Sequence, residues 1–238
     1  MLPIGAVLVD FDGTACTVDV SEAMLMAFGD PGWSEYDEAV DRREIGLRVA
    51  IQAQNAMIKA GRDELLAFAL ERCPLEPTFA PFVDWLAAQD IPVAIVSDGF
   101  GFYVRPILEA SGLGQLPVMT NEQQFDEYGR PAGLSFISGN ADCIGCGTCK
   151  MQAVQRYRAA HGPVAFVGEG QTDRYGALYA DLVFAKDELV DYCERDGVPF
   201  IPWRDFSDIR GTLEQMAATP GPVSPAICPG WTPADGSA

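Results

Sequence analysis

Hydrophobic runs that end abruptly in oxygen-bearing side chains occur three times in the chain. They are AVLVDFDGT from residue 6, PVAIVSDGF from residue 92 and PVAFVGEGQTD from residue 163. Uninterrupted runs of Val, Ile and Leu are typical of parallel strands that are covered on both faces. Ligands of open α/β sheets bind beyond the carboxyl ends of such strands. The pattern therefore predicts a mostly parallel sheet with a polar site along one edge.

Segments with helical periodicity separate these runs. The first strand is followed by four helix-like segments, at 20–28, 34–44, 47–59 and 62–72, without a comparable strand between them. After residue 79, helices and strands alternate in the rhythm of βαβ units, so we expect an α/β fold. Later helices are predicted at 79–89, 104–110, 151–161, 188–195 and 207–216, with strands at 92–96, 164–167 and 182–184 and a hairpin of 118–125 with 134–137.

This distribution of elements predicts two structured domains and a tail. We expect an α/β core at 1–14 and 76–216, interrupted by a helical cap at 15–75. Residues 217–238 are rich in Pro, Gly, Ser and Ala and poor in long apolar side chains, so this tail is predicted to be disordered.

Composition and charge narrow the cellular setting and the partners. With 238 residues and 48% hydrophobic content, the chain can bury a full core, and its apolar runs are too short for a membrane span. The first apolar residues run straight into Asp10 without a preceding basic segment, so we expect no secretion. Seven cysteines, an odd number, do not suggest a disulfide framework, so we expect a cytoplasmic protein. The net charge of −18 disfavours nucleic acid as a partner. We expect a small-molecule partner, no membrane association, and a monomer or homodimer.

The scarcity of basic side chains removes several kinds of chemistry. The chain has one histidine, His161, and three lysines, Lys59, Lys150 and Lys186. Phosphohistidine chemistry, metal sites with several histidines and most serine or cysteine triads need more imidazole than this.

Asp10 and Asp12 are the first candidates for a metal site. Two carboxylates this close together need a cation or a proton between them, and Mg²⁺ prefers oxygen ligands of this kind. Gly13 would let the chain turn away tightly. A calcium-binding EF-hand loop fails, because it requires glycine at the position that Ala15 occupies.

Taken together, DFDGT, VSDGF, the lysine before a helix and GEGQTD resemble the haloacid-dehalogenase superfamily, in order and approximate spacing, over residues 6–187. The resemblance is to its phosphoserine-phosphatase-like branch, which has a Rossmann-like three-layer core and a small helical cap after the first strand. The segments DCIGCGTCK, ending at Lys150, and FAKDELVDYCERDGVPFIPWRDFSDIR are similar to the 2-hydroxy-3-keto-5-methylthiopentenyl-1-phosphate phosphatases of methionine salvage.

The resemblance implies a phosphatase mechanism and assigns the reacting groups. Asp10 would be the nucleophile that forms an aspartyl-phosphate, and Asp12 the general acid and base. Mg²⁺ would be held by the Asp10 carboxylate, the Asp12 carbonyl and Glu169, with Asp173 steadying the metal or its waters.

The same resemblance assigns the groups that bind the substrate. Ser97 and Lys150 would bind the transferring oxygens, and backbone amides near Asp98 and Gly99 would add donors. Asp19 stands where phosphoserine phosphatases carry a glutamate that meets the amino group of the substrate, and its shorter side chain weakens that interpretation.

Two features depart from a simple assignment. The family usually has Asp where this chain has Glu169, so reduced activity or a preference for another ion stays open. Cys143, Cys146 and Cys149 directly precede Lys150 with the spacing of a metal knuckle, but a fourth zinc ligand is missing, so a structural loop of free thiols is favoured.

The sequence thus predicts a Mg²⁺-dependent phosphomonoester hydrolase for a small phosphorylated metabolite, in methionine salvage or elsewhere. Three alternatives remain: a phosphoserine phosphatase, a phosphonate-cleaving enzyme that uses Lys59, and a phosphate-binding protein with a weakened site. Arg42, Arg43 and Arg48 of the cap are candidates for binding an anionic substrate, although helix arginines are more often solvated ion-pair partners.

Overall fold

The computed structural model describes residues 2–143 and 145–223. Its strands join in one seven-stranded sheet, in the order β4-β3-β2-β1-β5-β6-β7. Every pairing is parallel except that between β3 and β4, which form the predicted hairpin. The strands are β1 (Ala6–Val9), β2 (Val93–Phe100), β3 (Val118–Phe125), β4 (Pro131–Ser135), β5 (Val164–Gly168), β6 (Leu182–Ala185) and β7 (Ile201–Pro202).

Four of the helices form an insertion between β1 and β2. They are α1 (Val20–Phe28), α2 (Ser34–Asp41), α3 (Leu47–Met57) and α4 (Arg62–Arg72). The remaining helices are α5 (Phe79–Ala87), α6 (Gly101–Ala110), α7 (Lys150–His161), α8 (Arg174–Tyr179), α9 (Glu188–Asp196) and α10 (Phe206–Gln215). The expected α/β fold, with a mostly parallel sheet and a helical insertion after the first strand, is confirmed.

The four central strands of the sheet, β2, β1, β5 and β6, are buried on both faces, as their apolar sequences require. Val7 and Val9 of β1 face one hydrophobic cluster, whereas Ala6 and Leu8 face a second. The first cluster includes side chains from α5, α6 and α10, and the second includes side chains from α7, α8 and α9. This alternation produces three layers, with helices on either side of the sheet.

The two chain crossings between the core and the insertion lie side by side. Cys16 and Leu75 form an isolated antiparallel bridge. The Thr17 amide donates to the Pro74 carbonyl at 3.1 Å, and the Glu76 amide donates to the Ala15 carbonyl at 2.8 Å. These contacts support the proposed division of the chain at residues 15 and 75. Most of the proposed tail, 224–238, lies outside the described residues.

Several boundaries differ from those predicted. Strand β2 continues past residue 96 to Phe100, with a register shift against β3 between Val96 and Phe100. The second strand of the hairpin was placed too late: it ends at Ser135, and Ile137 is 66% exposed. Helix α8 and the two-residue strand β7 were not predicted, because both are too short to show a periodic pattern. Within the described residues, no helix is both long and apolar enough to cross a membrane.

Candidate active site

A cleft of about 680 Å³ lies between the carboxyl edge of the sheet and the inserted helices. Because parallel strands end at the same edge, the sheet brings together residues that are far apart in sequence. Asp10 follows β1, Asp98 lies in β2, Glu169 follows β5, and all three line this cleft. Side chains of α1, α2 and α3 form the facing wall.

Lys150 connects two of the predicted carboxylates beneath the cleft floor and is not itself part of the cleft lining. Its ammonium donates to Asp10 Oδ1 at 2.7 Å, to Asp173 Oδ1 at 2.6 Å and to the Thr172 hydroxyl at 3.0 Å. Only 1% of the Lys150 side chain is exposed. Burial opposes the charged form, but Asp10 and Asp173, with Asp98 beyond them, hold the pKa of Lys150 well above its usual range. A permanent positive charge therefore lies against Asp10.

Asp173 is fully engaged by donors of the protein. Its Oδ1 accepts from Lys150, and its Oδ2 accepts the backbone amides of Glu169 at 2.9 Å and Gly170 at 3.1 Å. These bonds fix the turn that follows β5 and hold Lys150 toward Asp10. A role of Asp173 beside a metal stays a prediction.

Asp12 lies in a wide turn, Phe11–Ala15, directly after the first strand. Gly13 takes a positive φ of 67°, which reverses the chain there. Asp12 Oδ1 accepts the Val20 amide at 3.0 Å, and this bond ties the turn to the start of α1. Asp12 thus stands where the core meets the inserted helices.

Two hydroxyls hold the other oxygen of Asp12. Oδ2 accepts from Ser97 at 3.2 Å and from Tyr103 at 3.1 Å. Burial, followed by the charge of Asp19, raises the pKa of Asp12 to about 7 despite these hydrogen bonds. A carboxyl group with this pKa can give up and regain a proton near neutral pH.

Tyr103 is a site residue that the sequence did not reveal. It is fully buried, and its hydroxyl is also 2.9 Å from Ser21 Oγ in α1. Burial and the charge of Asp12 raise its pKa, so the phenol stays protonated and donates. A Cβ at Gly99 would stand 2.1 Å from the Tyr103 oxygen, so only glycine fits there. A tyrosine four residues after the Gly of VSDGF is the one signal that the sequence offers.

Ser97, Asp98 and Gly99 shape the neighbouring end of β2. The Gly99 amide donates to Ser97 Oγ at 2.9 Å, so the hydroxyl that donates to Asp12 also holds the end of the strand. Asp98 Oδ1 accepts the Thr148 amide at 2.6 Å, so this side chain holds the loop that leads to Lys150. The other oxygen, Asp98 Oδ2, is buried without a hydrogen-bond partner among the described residues. Their predicted phosphate-binding roles stay predictions.

Glu169 fits a divalent cation by its position and charge. A Cβ at Gly13 would stand 3.0 Å from Glu169 Cδ, so the longer side chain rests against the turn that carries Asp12. Burial, with the charges of Asp173 and Asp19, raises the pKa of Glu169 to about 7, and the described residues give it no ion-pair partner. Carboxylate and carbonyl oxygens of Asp10, Asp12 and Glu169 suit Mg²⁺.

Side chains alone do not form a metal cluster. No group of three or more His, Cys, Asp or Glu side chains in 2–143 and 145–223 is arranged to hold a metal ion. The predicted Mg²⁺ set needs only two carboxylates, because Asp12 would use its carbonyl. Cys143, Cys146 and Cys149 form no disulfide among the described residues. Whether they bind zinc remains a matter of prediction.

The candidate cap residues Asp19, Lys59 and Arg42 lie in different surroundings. Asp19 lines the cleft and accepts the Glu22 amide at the start of α1. Lys59 is an exposed surface lysine that pairs with Asp30 at 2.6 Å, away from the cleft lining. Arg42 pairs with Glu38 and Glu44 in solvent. Lys59 and Arg42 are therefore solvent-exposed members of ion pairs.

Known proteins are similar to this chain over most of its length. A 2-hydroxy-3-keto-5-methylthiopentenyl-1-phosphate phosphatase of Brevibacillus brevis is 28% identical over 210 residues, which cover 87% of this chain and 94% of that protein. The bifunctional enzyme MtnB/MtnX of Bacillus licheniformis is 27% identical over 212 residues, 89% of this chain. The chain spans about half of that enzyme, 49% of its length.

The fold also resembles solved structures, and the sequence matches a protein-family model. A phosphoserine phosphatase structure with an analogue of the phospho-aspartyl intermediate superposes with a TM-score of 0.69, at 17% identity, covering 88% of this chain and 98% of that one. At this identity the likeness concerns the fold. The model of the haloacid dehalogenase-like hydrolases matches residues 7–177, well over half of the chain. The chain therefore belongs to the haloacid dehalogenase-like hydrolase family.

Proposed function

We propose that this protein hydrolyses a phosphomonoester of a small metabolite through an aspartyl-phosphate at Asp10, with Mg²⁺ as cofactor. The observation that carries the proposal is the position of Lys150, buried between Asp10 and Asp173 at 2.7 and 2.6 Å. A dianionic phosphoryl group would be repelled by Asp10, and the adjacent ammonium offsets this repulsion.

The proposed reaction has two steps. Asp10 attacks phosphorus, and the bond to the alcohol breaks as Asp12 gives its proton to the departing oxygen. Asp12 then accepts a proton from water, whose oxygen attacks the phosphoryl group and releases inorganic phosphate and free Asp10. The pKa of Asp12, about 7, suits both transfers. Mg²⁺, held by Asp10, the Asp12 carbonyl and Glu169, would neutralise charge on the phosphoryl oxygens.

The lining of the cleft wall suits a substrate with an apolar part, so we favour methionine salvage as the pathway. Apolar side chains of α1 and α3 face the catalytic floor, among them Met24, Leu25, Leu47 and Ile51. The methylthiopentenyl substrate named for the relatives has an uncharged thioether tail, which such a wall would accept. The alternative, phosphoserine, carries a carboxylate, and no described cap residue of the lining is basic, so only Lys186 on the core side could bind that group.

The proposal is tested by exchanging the two aspartates for asparagine. Asp10→Asn removes the nucleophile and should lower kcat for phosphate release at least about a thousandfold. Asp12→Asn should lower it by about 10²–10⁴, the usual contribution of general acid-base catalysis. Asp63→Asn, at a side chain that is 98% exposed, is the matched control and should keep full activity.

The readout is release of inorganic phosphate from the methylthiopentenyl ester and from phosphoserine, with and without Mg²⁺. An Asp10→Asn variant that retains more than a few per cent of kcat contradicts the aspartyl-phosphate mechanism. Binding of both esters without hydrolysis would instead favour a phosphate-binding protein with a site weakened at Glu169.

A further inference from the structure

Lys186 is a basic side chain of the cleft that the proposed chemistry leaves without a task. It directly follows β6, at the same sheet edge as Asp10 and Glu169. Among the described residues that line the cleft, it is the only basic one, and the other charged groups are carboxylates. It therefore borders the space that a bound substrate would occupy.

The three lysines of the chain differ in their partners. Lys59 pairs with a surface carboxylate, and Lys150 is held between two buried ones. Lys186 has no ion pair with any described carboxylate, and its ammonium lies 4.4 Å from the ring centroid of Trp203. In a chain with a net charge of −18, a half-buried lysine without a carboxylate partner has its charge available for a ligand.

Trp203 gives Lys186 a fixed support. The indole is 4% exposed, donates to the Gly168 carbonyl at 3.4 Å and packs on the ring of Phe206 with centroids 5.2 Å apart. An aromatic face attracts an ammonium group but leaves N–H donors unused. These donors need acceptor oxygens, because a partly buried ammonium without them is costly.

The backbone beside Lys186 is also unusual. Asp187 has a φ of 48° and a ψ of −134°, a conformation that residues other than glycine rarely adopt. Such strain persists only where the surrounding structure holds it, and it is common at ligand sites. Here it occurs at the sharp turn from β6 into α9, which carries Lys186 at the cleft edge.

We propose that Lys186 determines specificity by donating to an acceptor oxygen on the alcohol part of the substrate, a hydroxyl, carbonyl or carboxylate separate from the phosphoryl group. The inference rests on the proposed function for the identity of the cleft as a phosphomonoester site. Lys150 serves the phosphoryl end, and Lys186 serves the leaving group.

Binding to the Asp10→Asn variant tests this without turnover. The ligands are phenyl phosphate, whose alcohol part has no further oxygen, glycerol phosphate, which adds hydroxyls, and phosphoglycolate, which adds a carboxylate. Adding Lys186→Met, which keeps the stem on Trp203, should raise Kd about tenfold for the two oxygenated esters, or about 1.4 kcal/mol. The Kd of phenyl phosphate should stay within about twofold.

Lys59→Met is the matched control and should change none of the three Kd values measured by calorimetry. A greater loss for phosphoglycolate than for glycerol phosphate would identify a carboxylate as the natural acceptor, and equal losses a hydroxyl or carbonyl. Equal weakening of all three esters, or of none, would overturn the assignment of Lys186 to the leaving group.

Phosphate release by the unmodified protein separates this inference from the proposed function. If the unmodified protein releases phosphate but Lys186→Met does not selectively weaken binding of the two oxygenated esters, only the role of Lys186 is rejected. If Lys186→Met weakens their binding selectively but no phosphate is released, only the proposed hydrolysis is rejected. Failure of all three esters to bind would reject both.

Discussion

The hydroxyl of Tyr103 holds the proposed general acid from inside the core. It donates to Asp12 at 3.1 Å and lies 2.9 Å from Ser21 Oγ, so it also links the core to α1. A hydrogen bond to a charged group contributes about 1.5–3 kcal/mol, which makes this contact a large part of what fixes the carboxylate. Removal of the hydroxyl should therefore affect the rate of proton transfer and its dependence on pH.

We predict that Tyr103→Phe lowers kcat by roughly tenfold, since about 1.4 kcal/mol corresponds to tenfold in rate. The hydroxyl stabilises the charged form of Asp12 and lowers its pKa, so its loss should raise that pKa further above 7. Because the acid must be protonated to donate, the alkaline limb of the kcat profile should move to higher pH. Tyr128→Phe, at a residue 74% exposed, is the control. An unshifted alkaline limb would contradict the prediction.

Site residues that follow apolar runs could be predicted from the sequence, whereas those that depend on tertiary packing could not. Asp10, Ser97 and Lys150 were found because a strand end or helix start marks each of them. Tyr103 was missed because α6 was predicted to begin at residue 104, whereas it begins at Gly101 and includes Tyr103 in its first turn. Lys186 follows a correctly predicted strand, but its lack of a carboxylate partner is visible only in three dimensions.

At the scale of elements, the long strands were predictable and their irregular ends were not. Strand β2 continues through Ser97 and Asp98 because side chains of β3 donate hydrogen bonds to its backbone. The Thr120 hydroxyl donates to the Gly99 carbonyl at 2.5 Å, and the Asn121 amide donates to the Asp98 carbonyl at 2.5 Å. Such side-chain bonds between neighbouring strands leave no periodic trace in the sequence.

The contact of α3 with the loop before α7 joins the cap to the segment that ends at Lys150. Arg48 donates through Nε to the Cys146 carbonyl and through Nη2 to the Asn140 carbonyl, both at 2.7 Å. Its guanidinium also lies 5.2 Å from the centroid of the Phe136 ring. The arginine that the sequence offered as an anion ligand is thus engaged by backbone oxygens, and it fixes the cap over the loop that ends at Lys150.

We predict that Arg48→Ala lowers kcat/KM about tenfold, through two lost charge-assisted hydrogen bonds of about 1.5–3 kcal/mol each, partly replaced by water. Limited proteolysis should show faster cleavage between residues 138 and 149, because the loop loses its contact with the cap. Arg42→Ala is the matched cap variant, since Arg42 pairs only with exposed Glu38 and Glu44 among the described residues. Equal behaviour of the two variants would show that Arg48 does not hold the loop.

At the scale of the whole molecule, negative charge is concentrated where the proposed metal would bind. The pKa values of Asp12 and Glu169 are both raised to about 7, first by burial and then by neighbouring carboxylates. In the unfolded chain these groups ionise near pH 4, so the folded state disfavours their charged forms. Their contribution to stability is complete below about pH 4 and is lost as the pH rises to about 7.

We predict that, with a chelator present, the Tm falls between about pH 5 and pH 8, and that Mg²⁺ restores it at pH 8 but not at pH 5, because a cation stabilises the charged carboxylates. Glu169→Gln removes one of these charges and should raise the chelated Tm at pH 8 by roughly 2–6 °C, which is about 1–1.5 kcal/mol at about 2–4 °C per kcal/mol. The same variant should gain less from Mg²⁺. Glu127→Gln, at an exposed residue outside the cleft lining, should change neither value. Differential scanning calorimetry would measure the Tm at pH 5 and at pH 8, each with the chelator and with Mg²⁺. A chelated Tm that does not change between pH 5 and pH 8 would refute the inferred accumulation of negative charge.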